Sequence, residues 1–130
     1  MLPRSESTTR GNAPAEFILV GALLVALAIA TLQISLIVHV RSVLQASAWE
    51  GARHASYYNT ALSDGVTLTR NLIREGVGDR YAEHIVARSS DVAGRPGVII
   101  QVESPFPAVG MWSPGGTLLV SAAVPHEIPD

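Results

Sequence analysis

The 130-residue sequence contains no cysteine and no lysine. Without cysteine, disulfides and thiolate metal sites are excluded, and the redox compartment is left open. Without lysine, all nine basic residues are arginine, set against eleven Asp and Glu. The resulting net charge of −2 provides no basic footprint for nucleic acid. Catalytic motifs are missing too. There is no HExxH, GxSxG, Walker A sequence or GxGxxG. The four histidines, His39, His54, His84 and His126, have no metal-ligand spacing, and His126 and Glu127, adjacent in a strand, would face opposite ways. The chain reads as non-enzymatic, with no cofactor and no metal.

Charge is also absent from one long stretch. Residues 17–40 are 24 consecutive positions without Asp, Glu, Lys or Arg. As a helix they would span about 36 Å, more than a hydrocarbon core of roughly 30 Å requires. A secretory signal has an apolar core of only about 7–15 residues and a small-residue cleavage site after it. A core helix of a soluble protein is the other alternative, but the remaining chain is too short to surround such a segment. The run is expected to span a membrane once. Arg4 and Arg10 precede it and Arg41 and Arg53 follow it, so basic residues do not fix its direction. An inside N-terminus is favoured because the leader is short.

The segment "RGNAPAEF" places Gly11 and Glu16 immediately before this run. Here the chain resembles the TadE-like family, pseudopilins of tight-adherence (Flp-type) type IV pilus systems. The stretch "ASAWEGARHAS" is similar to that family's Glu-Gly-Ala-Arg segment beyond the membrane helix, which falls here on Glu50, Gly51, Ala52 and Arg53. The resemblance implies a leader of residues 1–11, removed by a prepilin peptidase between Gly11 and Asn12. It implies that Glu16, followed by the aromatic Phe17, acts in assembly. Asn12 as a polar first residue and Pro14 depart from the pattern, although proline is tolerated in a first helical turn. The implied partners are the peptidase, other pilin or TadE/TadF-like subunits, a pilus membrane platform, a secretion ATPase and membrane lipid. The implied place is the bacterial cytoplasmic membrane, with the C-terminal domain extracytoplasmic or carried into a surface pilus.

A cut after Gly11 would create an α-amino group about one turn from Glu16. A charge in low dielectric needs a counter-charge, and Glu16 can serve its own terminus or a neighbour's. Glu16 can equally be a first-turn acid that complements the helix dipole and does nothing more. Within the run, Ala22, Ala26 and Ala30 recur at steps of four and offer a small-residue face for helix packing. Thr31 and Ser35 share a face, where their hydroxyls can bond to another helix or to their own carbonyls.

The helix is expected to continue past the membrane to about residue 58, with Val40, Leu44, Ala48 and Ala52 in register and Glu50 near Arg53. Residues 12–58 would then form one long helix whose second half packs under a small domain, residues 59–130. In that domain, "SDGVTLTRNLIREG" reads as a second helix capped by Ser63 or Asp64, with Leu68, Leu72 and Gly76 on one face. Three strands follow: residues 83–89, then 97–104 with Val98, Ile100 and Val102 inward, then 117–124 with Leu118, Val120, Ala122 and Val124 inward. The connection at 105–116, with three prolines and three glycines, is a loop. The fold class is therefore α+β and pilin-like, with about three short antiparallel strands.

Three functions fit this outline. The first is a structural minor pilin or pseudopilin; the second is an uncleaved single-pass anchor with an exported binding module. The third, a soluble helical scaffold, requires the apolar run to be buried.

Overall fold

Helix α1 runs from Arg4 to Ala55 in the computed structural model, which describes residues 4–57, 59–108 and 115–126, with side chains from residue 12 onward. The helix therefore begins before the expected start at residue 12. The helix passes through Pro14 at the loss of the one bond that residue's missing N–H would have made. Its end comes at Ala55, where the Ser56 hydroxyl donates to the Arg53 carbonyl at 2.7 Å and Asn59 turns the chain at φ 63°. Tyr58 lies outside the described residues.

The chain divides into two compact units, Met1–Ser35 and Leu36–Asp130. The second unit contains the last part of α1, helix α2 (Leu62–Gly76), a 3-10 turn (Asp79–Tyr81) and strands β1 (His84–Val92), β2 (Arg95–Pro105) and β3 (Thr117–Pro125). The strands form one antiparallel meander in the order β1-β2-β3. The fold class is α+β, as the sequence implies. Of the expected loop at 105–116, residues 109–114 lie outside the described residues.

Strand alternation follows the sequence closely. Val98, Ile100 and Val102 are fully buried, and Leu118, Val120 and Ala122 are buried opposite them, with Val124 half-buried. In register, Ile85, Val102 and Val120 form one inward row and Ala87, Ile100 and Ala122 the next. The first hairpin is longer than expected. Ala93 and Gly94 both have positive φ, 54° and 80°, in a two-residue turn of the kind whose twist suits a hairpin. Alanine rarely takes that conformation, so the pair gives no turn signal of the Asn-Gly type.

Helix α2 corrects two expectations. Its cap is Ala61, with no side-chain bond, so neither Ser63 nor Asp64 serves as cap. Its buried face is Gly65, Thr69 and Ile73, while Leu68 and Leu72 are half-buried and Gly76 is exposed. The reason is the helix it meets. Val40, Leu44, Ala48, Ala52 and Ala55 of α1 are buried in the same core, and between the two helices Gly51 stands against Gly65. A Cβ on Gly51 would overlap the Thr69 hydroxyl and lie 2.7 Å from the Gly65 carbonyl oxygen. A Cβ on Gly65 would lie 2.7 Å from the Gly51 carbonyl oxygen. Each backbone occupies the room where the other's side chain would stand, and Ile100 of β2 closes the space beneath both.

Gly51→Ala should therefore lower the unfolding free energy by about 1–3 kcal/mol despite alanine's better helix propensity. Gly21→Ala, with nothing within 4 Å of the added methyl, should cost nothing. Denaturant unfolding of the detergent-solubilised chain, followed by circular dichroism, measures the contrast.

Candidate functional site on the first helix

From Asn12 to Leu32 every residue of α1 is exposed except Gly21, which is half-buried. Between Phe17 and Val38, thirteen large apolar side chains are exposed, Phe17 at 80%. Covering each would gain about 1.5–3 kcal/mol, a total beyond the roughly 5–15 kcal/mol of net stability a domain possesses. An 18-residue window in this helix reaches a mean hydropathy of 2.6. Such a surface, apolar all round, requires lipid or other apolar helices around it. By length and composition this is a candidate membrane span.

The sequence-selected residues fall into two groups. The Gly11–Asn12 peptide bond lies within helical backbone, and Asn12, Glu16 and Phe17 are exposed on the helix. Ala22, Ala26 and Ala30 are exposed as well. Thr31 Oγ1 donates to the Leu27 carbonyl at 2.8 Å, and Ser35 Oγ to the Thr31 carbonyl at 2.9 Å. The polar groups are thus satisfied before any neighbour arrives.

In the second group, Glu50, Gly51, Ala52 and Arg53 split by face. Gly51 and Ala52 are buried against α2 and the sheet, whereas Glu50 and Arg53 point outward. The expected Glu50–Arg53 pair is not formed. The Arg53 guanidinium lies 5.7 Å from the centroid of the Trp49 ring, a cation–π distance. Among the described residues the ion pair is Arg74–Asp79 at 3.3 Å, exposed and worth little. Among the same residues, no three of His, Cys, Asp and Glu converge as a metal site would need.

Sequence reasoning missed the partners of this segment, Gly65 and Thr69. A glycine and a threonine four apart inside a helical pattern are the available signal of a close backbone approach.

Residues 11–53 match the family model for TadE-like protein. Over those residues the first helix is similar to the TadE-like family. The match starts at the glycine before the apolar run and ends at Arg53, so it takes in both groups of residues. No curated protein and no solved structure matches the chain. That family is one of Tad pilus-associated proteins with an N-terminal membrane helix, and the similarity is confined to residues 11–53.

Since Thr31 and Ser35 bond within the TadE-like helix, Thr31→Val and Ser35→Ala should change helix self-association in a membrane by less than about 0.6 kcal/mol, or threefold. A two-hybrid reporter of transmembrane association provides the measurement.

Proposed function

We propose that this chain is a minor pilin or pseudopilin of a tight-adherence pilus or a related secretion assembly. It is inserted in the cytoplasmic membrane through α1 and joins other pilin-like subunits by that helix. The observation that carries this reading is the TadE-like match itself, which begins at Gly11 and runs through a helix whose apolar surface has no cover among the described residues. A prepilin peptidase cuts between Gly11 and Asn12. Pro14 then becomes the third residue, in a first turn where its missing N–H has no partner to lose. The new α-amino group lies about one turn from Glu16, whose carboxylate answers it in its own subunit or the next. The N-terminus is cytoplasmic, the domain is extracytoplasmic, and a membrane platform and a secretion ATPase drive assembly.

A second reading has one observation in its favour. The helix runs unbroken through the Gly11–Asn12 bond, as it would in an anchor that is never cut. N-terminal sequencing of the membrane-extracted chain separates the two: Asn12 first supports the pilin, and an intact Met1 supports the anchor. Glu16→Ala should leave membrane insertion unchanged and lower incorporation into the assembly by about tenfold or more, the equivalent of 1.4 kcal/mol. Immunoblots of membrane and assembled fractions measure both effects. Unchanged incorporation removes the role given to Glu16.

A further inference from the structure

Within the unit Leu36–Asp130, two faces have no other element packed over them among the described residues. One is the outward side of α1, where Arg41, Ser42, Gln45, Ala46, Trp49 and Glu50 line a shallow open groove. The other is the outer face of the sheet. Its rows, from the strand register, are His84, Glu103 and Leu119; then Val86, Gln101 and Ser121; then Arg88, Ile99 and Ala123. Trp49 is 48% exposed on the first face, and Val86 and Leu119 are 59% and 62% exposed on the second.

The two faces run in step. Gln45 Nε2 donates to the Ser121 carbonyl at 2.9 Å, and His126 Nδ1–H donates to the Ser56 carbonyl at 3.3 Å. Between these contacts α1 rises by about 16.5 Å and β3 by about 17 Å, so the strand runs alongside the helix in the same direction. β1, antiparallel to β2 as β3 is, shares that direction. Gln45 is level with the Ser121 row. Arg41 lies about 6 Å below it and the Glu103 row about 7 Å below; Glu50 lies about 7.5 Å above it and the Arg88 row about 7 Å above. Reading upward, the helix face carries Arg41, Trp49 with Arg53 held against its ring, and Glu50, whereas the sheet face carries Glu103, then Val86 with Gln101 and Ser121, then Arg88 with Ile99. Among the described residues, none of these charged side chains is in an ion pair.

We propose that a second copy of this chain lays the outer face of its sheet on the outward side of α1. Arg41 then meets Glu103, Glu50 meets Arg88, and Trp49 rests on Val86 and Ile99. That the copies share one direction and one height rests on the membrane reading above; the Arg41–Glu103 and Glu50–Arg88 pairs then meet with no axial shift, while Arg53 stays against Trp49. An inverted copy would set Arg41 against Arg88 and Glu50 against Glu103. Exposed tryptophan is the residue type that most often anchors interfaces, while the flanking charges fix orientation more than affinity. Because the two faces differ, the contact is heterologous and can repeat from copy to copy.

The absence of native cysteine makes the test direct. Full-length Ala46→Cys and Gln101→Cys chains, differently tagged, are co-expressed, and their membranes are oxidised with copper phenanthroline. A disulfide heterodimer is expected, with little homodimer from either chain alone. Adding Glu50→Arg to the first chain should lower its yield about tenfold, and adding Arg88→Glu to the second should restore it. If the chains resist alkaline extraction yet give no heterodimer, or couple as readily to themselves or to another protein, the docking is overturned and the membrane reading stands. A heterodimer indifferent to both reversals overturns the docking as stated. If alkali releases the chains, the membrane reading falls and the docking with it.

Discussion

The folded unit depends on two helices approaching closely enough to share a narrow sheet. Helices ordinarily pack about 8–10 Å apart, and the outer strands of a three-stranded sheet are separated by only about 10 Å. Two helices spaced by bulky side chains would overhang such a sheet and leave its flanks wet. Gly51 and Gly65 remove that spacing, since each backbone takes the room of the other's side chain. The alanines at 48, 52 and 55 continue the close fit along α1. Thr69 completes the contact: its hydroxyl donates to the Gly65 carbonyl at 2.8 Å, so a buried polar group costs nothing at the crossing. Ile100 can then reach both helices from the central strand.

The same helix meets a different demand before that point. Apart from Gly21 and Gln33, residues 17–36 are exposed, and Ile37 is the first apolar residue to pack against the domain core, with Val40 buried soon after. Twenty residues rise by about 30 Å, the thickness of a hydrocarbon core. The uncharged run of 24 residues is thus shared between two environments: its last turn belongs to the folded unit. A sequence count of uncharged residues measures the sum of the two and not the boundary between them.

What could be read from the sequence follows from where single-residue patterns carry the information. β2 and β3 were legible because their inward residues alternate at a period of two and, Ser104 apart, are apolar. The buried stripe of α1 was legible at steps of four. The buried face of α2 was not, because hydrophobicity points to Leu68 and Leu72, whereas the tightest contact selects the small residues Gly65 and Thr69. Size, not apolarity, decides at a close crossing, and size matters only once the partner is known. The Ala93-Gly94 turn was hidden for a related reason: the strands on either side hold Ala93 in a conformation it does not prefer on its own. Arg53 turned to Trp49 instead of Glu50 because both choices lie within one turn, and spacing alone does not rank them.

The TadE-like match ends at Arg53, and the residues that Gly51 needs lie beyond it. Gly65 and Thr69 belong to the part of the chain that the match does not reach. A glycine within the matched segment is costly to a helix unless something approaches it closely, by about 1 kcal/mol relative to alanine. Its presence therefore places a requirement on whatever follows. In this chain Gly65 and Thr69 of α2 meet that requirement. The matched helix and the unmatched domain are linked by a steric condition, not by a shared pattern of side chains. This explains how resemblance can stop at one end of a contact while the fold still depends on both ends.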